Sequence, residues 1–156
     1  MIRIEIPGHR ELRLEHLVLD YNGTLAVDGK LLAGVREALA GLAQRLEIHV
    51  LTADTFGRAE AELAGLRCEL CILPEADQHI GKRDLVRRLG AERAVCIGNG
   101  RNDRLMLKEA ALGIAVVQAE GAAAEAALAA DVVCPDIGSA LALLANPLRL
   151  VATLRS

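Results

Sequence analysis

The sequence predicts a three-layer, doubly wound α/β domain of Rossmann-like form, with a mostly parallel sheet, and three observations predict it. Short runs rich in Val and Ile alternate along the chain with Leu- and Ala-rich stretches of helical spacing, joined by short connections. Of the 156 residues only one is Tyr and one Phe, so Leu, Ala, Val and Ile must fill the core, as suits helices packed on a buried parallel sheet. Polar residues with chemical potential collect where the strand-like runs end, the place at which open α/β sheets bind ligands. The length fits one core, and residues 1–156 are read as a single domain.

The elements follow in order. Ile2, Ile4 and Ile6 alternate with polar residues, and Pro7-Gly8 turn the chain into residues 11–15, which predicts an N-terminal β-hairpin. Residues 16–20 (HLVLD) read as a buried strand, followed by the turn Tyr21-Asn22-Gly23-Thr24. Leu39, Leu42 and Leu46 share a face of a helix predicted over 32–46. A second central strand, 47–51, ends at Thr52, and a helix from Thr55 to Ala64 follows. The remaining pattern is a strand at 68–73, a helix at 77–89, a strand at 93–97 and the loop Gly98-Asn99-Gly100-Arg101-Asn102-Asp103. A helix to Ala110, a strand at 112–117, an Ala-rich helix after Gly121, a strand at 131–134 and helical segments around Pro147 complete the chain.

Composition removes several function classes. A net charge of −3 leaves no basic footprint, and the near absence of rings leaves no base-stacking platform, so nucleic acid is not an expected partner. Arg3, Glu5 and His9 stand where a secretory signal would need an apolar run, and the apolar stretch 137–148 is shorter than a membrane span and contains Pro147. The expected setting is soluble and cytoplasmic, without membrane association. Cys68 and Cys71 form a CxxC within a strand-like run, where side chains three apart point to opposite faces, so core packing is favoured over zinc. Cys96 and Cys134 lie in similar buried runs, and His9, His16, His49 and His79 show no metal-ligand spacing in the sequence.

Each strand-end residue has a plain explanation when taken alone. Asp-x-Asn-Gly is a common turn, Thr a common helix cap, and Lys82 on its own would be a solvated helix residue. Together they divide the work of phosphoryl transfer without duplication. Asp20 can be the nucleophile, with Gly23 and Thr24 bringing backbone N–H groups near a phosphate. Thr52 and Ala53 offer a hydroxyl and a helix start, Lys82 a point charge, and Asn99 and Asp103 hard oxygen ligands for Mg²⁺. Asn22 would add its backbone carbonyl to that metal site.

These motifs resemble those of the haloacid dehalogenase superfamily, and within it the phosphorylation domain of P-type ATPases and their soluble relatives. The stretch LVLDYNGTLA (17–26) is similar to the family's apolar run followed by Asp-x-Asp-Gly-Thr, and CIGNGRNDRLMLKEAALGIAV (96–116) to the ATPase Gly-Asp-Gly-x-Asn-Asp stretch. HVLTAD, with Thr52, and Gly81-Lys82 fall between them in the expected order. The resemblance implies an aspartyl-phosphate on Asp20, phosphoryl binding by Thr52 and Lys82, and Asp103 beside the metal. The spacings leave room for no extra domain between the motifs, so the resemblance implies a capless member. Two departures stand out: Asn22 replaces the family's general acid–base Asp, and Asn99 replaces a metal-binding Asp. Asp54 and Asp103 are candidates to compensate at the metal.

The leading expectation is therefore a Mg²⁺-dependent phosphohydrolase of low efficiency, acting on a small phosphorylated substrate. Without a general acid its rate should follow the leaving group's own acidity. A second reading is a regulatory or phosphate-binding protein on the same scaffold, with the C-terminal Ala/Leu face serving a partner or a homo-oligomer. A bacterial receiver domain fits less well, because its acceptor follows the third strand and the 98–103 loop has no counterpart there. Tyr21 and Phe56 are read as packing residues, with pocket lining as the alternative.

Overall fold

A computed structural model describes residues 1–53 and 57–156; Asp54, Thr55 and Phe56, to which the sequence assigned metal compensation, a helix start and packing, lie outside the described residues. The alternation of buried and exposed residues in β1 (Ile2–Glu5) and β2 (Glu11–Leu14) folds them into the expected antiparallel hairpin, whose isoleucines and leucines face inward. The apolar-rich runs become the strands of a six-stranded sheet whose central strands are buried on both faces. They are β3 (His16–Asp20), β6 (Glu47–Thr52), β7 (Glu69–Ile72), β8 (Ala94–Gly98), β9 (Leu112–Val116) and β10 (Val132–Cys134). Every pairing in this sheet is parallel, in the order β10-β9-β8-β3-β6-β7. The chain winds outward from β3 through β6 to β7, then returns to β8 and winds the other way. The switch point thus lies between β3 and β8, at the carboxyl ends of the strands carrying Asp20 and the 98–103 loop.

One sheet face, with Leu17, Leu19, Ile48, Val50, Val95 and Ile97, packs against α1 (Val35–Leu42), α6 (Ile137–Ala145), α7 (Pro147–Leu154) and the hairpin. The other, with Val18, Leu51 and Cys96, packs against α3 (Gln78–Leu89), α4 (Arg104–Glu109) and α5 (Ala124–Ala129). A short helix, α2 (Arg58–Leu63), joins β6 to β7. Cys96 and Cys134 are buried and Cys68 and Cys71 half-buried, all as free thiols.

The predicted helix at 32–46 is shorter than its periodicity suggested. Residues before it form a small antiparallel hairpin, β4 (Ala26–Val27) with β5 (Lys30–Leu31), and Gly34 at φ +81° prevents the helix from starting earlier. Tyr21 is buried, and its hydroxyl donates to the Gly29 carbonyl at 2.9 Å, bracing that hairpin. The hairpin is the sole insertion between β3 and α1, and no cap domain occurs among the described residues. No single helix among them is long and apolar enough to cross a membrane; α6 and α7 are bent by 101° at their junction.

Candidate active site

The site forms where three chain segments meet at the switch point. β3 ends on Asp20, which pairs with Leu51 of β6, while the ladder to β8 stops at Leu19. The following turn doubles back tightly: Leu25 N–H and Ala26 N–H both donate to the Tyr21 carbonyl, at 2.9 and 3.1 Å. Gly23 has φ +78°, which favours glycine, and a Cβ there would fall 2.6–2.8 Å from the Asn99 amide, which would have to move. Gly23 N–H donates to Ala26 O at 2.8 Å and Thr24 N–H to Tyr21 O at 3.3 Å. These two amides, expected from the sequence to face a phosphate, are thus used inside the turn.

The 98–103 loop is organised by Asp103. Its Oδ2 accepts from the Asn99 and Gly100 N–H groups at 3.0 and 2.8 Å, while Oδ1 accepts from the Lys82 ammonium at 2.7 Å. A side chain on Gly98 would strike the Asp103 carboxylate, at 2.5 Å. Lys82 comes from the middle of α3 and is only 1% exposed. Its Nζ lies 2.7 Å from Asp20 Oδ1 as well, and 3.4 Å from the Asn102 amide oxygen. Buried Thr24 completes the ring, with its hydroxyl 3.4 Å from Asp20 Oδ2 and 3.3 Å from Asn99 Oδ1.

One ammonium therefore serves two carboxylates, and the protonation of each partner follows. Burial opposes the charge on Lys82, but Asp20 and Asp103 together outweigh it and hold its pKa above the usual lysine value. Burial and then the Asp103 charge push Asp20 up from 3.8 to about 7, against the opposing pull of Lys82. Asp20 sees one positive and one negative neighbour, which leaves its desolvation uncompensated.

A cavity of about 260 Å³ opens over these groups, lined by Asp20, Asn22, Thr52, Ala53, Gln78, Asn99, Gly100 and Asn102. The structure thus gathers the sequence-predicted residues into one place. Thr52 ends β6 on the pocket wall, Asn22 is exposed at its rim, and Lys82 lies beneath Asp20. Sequence reasoning missed Gln78, which accepts from the Asn102 side-chain amide at 2.9 Å, and Gln118, whose amide donates to the Gly23 and Thr24 carbonyls at 2.8 Å each. Asn102 was legible as part of the 98–103 motif. Neither glutamine carries a local signal, since each acts through a partner distant in sequence.

The donor set suits a hard cation. The Asp20 carboxylate, the Asn99 amide oxygen and the Asn22 carbonyl are all oxygens, with a single formal negative charge once Asp103 is committed to Lys82. Mg²⁺ is commonly held by one or two carboxylates together with substrate phosphate oxygens, so the residues fit it, with much of the charge left to the substrate.

No family model matches the chain. An uncharacterized protein of Methanocaldococcus jannaschii, MJ0073, is 44% identical over 82 residues, which span 50% of this chain and 88% of that protein. The cobalt-bound deoxy-D-mannose-octulosonate 8-phosphate phosphatase of Haemophilus influenzae superposes with a TM-score of 0.72 at 15% identity, covering 92% of this chain and 94% of that one. The corresponding phosphatase of Moraxella catarrhalis, in complex with magnesium and phosphate, gives 0.65 at 17% identity over 91% and 94%. A haloacid dehalogenase-like hydrolase of Bacillus subtilis gives 0.57 at 12% identity over 90% and 89%. The chain belongs to the same family as MJ0073, and its fold is that of the haloacid dehalogenase superfamily, without a cap domain among the described residues.

Proposed function

We propose that the protein is a Mg²⁺-dependent phosphohydrolase that works through an aspartyl-phosphate on Asp20. The observation that carries this reading is the single buried ammonium of Lys82 held 2.7 Å from both Asp20 and Asp103 at the sheet's switch point. Its three donors are met by Asp20, Asp103 and Asn102, and at that place it can neutralise phosphate oxygens as they arrive at Asp20. Asp20 Oδ attacks phosphorus, the bond from phosphorus to the leaving oxygen breaks, and water then cleaves the acyl phosphate to release inorganic phosphate. Thr52 and Ala53 bind the phosphoryl oxygens beside Lys82. Asp20, the Asn22 carbonyl and Asn99 would hold Mg²⁺, which supplies charge neutralisation for the incoming phosphate. Asp103, with both oxygens engaged, positions Lys82 and the loop and stands behind the metal rather than on it.

Asn22 cannot protonate a leaving group, so substrates must leave unaided. The neighbouring octulosonate phosphatases are named for a sugar-acid phosphate, whereas this site favours acyl phosphates, pyrophosphates and nitrophenyl phosphate. Phosphate release from such substrates with and without Mg²⁺, beside an Asp20→Asn control, tests the reading. Faster turnover of sugar phosphates than of acyl phosphates would overturn the role given to Asn22. The Asn22 and Asn99 replacements also favour a second reading, a regulatory protein that binds phosphate without turnover. Two measurements separate them: failure of beryllium fluoride to bind Asp20 at millimolar Mg²⁺ removes the catalytic reading, and phosphate release from acetyl phosphate that is lost in Asp20→Asn removes the regulatory one.

A further inference from the structure

At the opposite end of the sheet, four residues of β3 (roughly 13 Å) before Asp20, a separate cluster joins the first residues of neighbouring strands. His16 opens β3, Glu47 opens β6, His49 follows it, and Glu69 opens β7. Parallel register pairs His16 with Glu47 and His49 with Glu69, so all four project to the α3–α4 face of the sheet. His16 Nδ1 lies 3.3 Å from His49 Nε2 and 3.3 Å from Glu47 Oε2, and the other ring nitrogen of His49, Nδ1, lies 3.1 Å from Glu69 Oε2.

We propose that His16, Glu47 and His49 form a second metal site, for a borderline divalent ion such as Zn²⁺, distinct from the Mg²⁺ position at Asp20. Zinc bound at about 2.0–2.1 Å to nitrogen and oxygen sets tetrahedral ligands roughly 3.3 Å apart, which is the separation found here on two of the three edges. The third edge, from Glu47 to His49, is within 4.8 Å. The Glu47 side chain is 73% exposed and free to close that gap by rotation. The arrangement around His49 is equally specific. Its Nδ1–H donates to the Glu69 carboxylate, which fixes the tautomer that leaves a lone pair on Nε2 toward His16. A carboxylate behind a metal-binding imidazole orients the ring and raises its basicity in this way.

The ion would sit between the two facing ring nitrogens, and its binding would displace any proton on His16 Nδ1. A cleft of about 340 Å³, lined by Glu47, His49, Cys68 and Glu69 among others, opens beside the cluster and gives an entry path and room for a water as fourth ligand. Mixed imidazole and carboxylate donors favour zinc and its neighbours over Mg²⁺, which separates this site from the all-oxygen one. Its effect would be to tie β3 to β6 at the strand starts. The plainer account, a hydrogen-bonded histidine pair with acidic neighbours, predicts no metal stoichiometry at all. The proposal does not rest on the phosphohydrolase reading.

The test is Zn²⁺ titration against a chromophoric chelator, at millimolar Mg²⁺, on the Asp20→Asn protein, whose active-site carboxylate is removed. The expected result is one tightly bound equivalent and a zinc-dependent rise in melting temperature. Co²⁺ in its place should give the visible absorption of a four-coordinate site. Glu47→Gln, at an exposed position, should weaken binding by about tenfold or more, and Glu69→Gln by about 10–100-fold, each with the circular dichroism of the parent. His49→Gln should abolish binding, and any loss of its fold is controlled by the two glutamate variants. Absence of zinc binding to the folded Asp20→Asn protein overturns the proposal. So does binding unchanged by Glu47→Gln, or binding lost with Cys71→Ser instead, which would place the ion on the His49–Glu69–Cys71 side.

Discussion

Replacing Asp20 by Asn should make the metal-free protein more stable, and more so as the pH rises. Asp20 has a pKa of 3.8 when unfolded and about 7 in the folded protein, because it is desolvated beside Asp103. A carboxyl group raised in this way favours the folded state below pH 3.8, and that contribution is lost progressively as the pH climbs to about 7, where the folded group ionises too. Each unit is worth about 1.4 kcal/mol, so the full loss is about 4 kcal/mol, of which roughly 2–3 kcal/mol falls between pH 5 and pH 8. The amide that replaces the carboxylate does not titrate and leaves a neutral Lys82–Asp103 pair. Lys82, raised above its ordinary value, stays charged across this range and adds no slope. The melting-temperature advantage of Asp20→Asn in EDTA should therefore grow by roughly 5–10 °C from pH 5 to pH 8 for a chain of this length. Adding Mg²⁺ at pH 8 should narrow it, because the ion stabilises only the parent. A difference that is constant across that range would refute the account of Asp20 as an uncompensated buried charge.

Other outcomes follow from the same geometry. Lys82→Met should abolish phosphate release and cost about 3–5 kcal/mol in urea unfolding at pH 8, since it leaves Asp20 and Asp103 buried together without a cation. Asn22→Asp restores a group able to protonate the leaving oxygen and should raise kcat on sugar phosphates by about 10²–10⁴-fold, with a far smaller effect on acetyl phosphate. Mg²⁺ affinity, read by calorimetry, should fall about tenfold per unit below pH 7, because the proton on Asp20 competes with the ion. Asn99→Asp should tighten Mg²⁺ binding by supplying a second charge, at the cost of the hydrogen bond the Asn99 amide donates to the Gly121 carbonyl, while Asp103 keeps the loop's N–H groups in place.

Much of this architecture is written locally and could be read from the chain. The strands 94–98 and 112–116 are continuous apolar runs and 16–20 is apolar at 17–19, and burial on both faces of a parallel sheet asks for that pattern. Asp20, Thr52 and the 98–103 loop declare themselves because each follows such a run, and topology alone brings them together. The β4–β5 hairpin was missed because Leu31 and Leu32 continue the helical period of the residues after them, and only Gly34, in a left-handed conformation, shows where the helix must begin. The Gly23–Thr24 turn was legible as a turn, but the use of its amides was not. Whether an N–H faces a ligand or closes the turn depends on ψ angles that Gly-Thr leaves open.

The histidines show the limit most sharply. Thirty-three residues separate His16 from His49, a spacing that matches no metal motif, and each lies in a run that reads simply as core. Their meeting depends on the register of β3 against β6, which sets His16 opposite Glu47 and brings His49 one pleat further along on the same face. A slip of one residue would turn His49 to the opposite layer and leave Ile48 among the charges. Register is itself fixed by the apolar residues on the two faces, Leu17 and Ile48 on one and Val18 and Leu51 on the other. The same packing that places Asp20 beside Lys82 at one end of the sheet therefore places two imidazoles in contact at the other, and a sequence can encode both while announcing only the first.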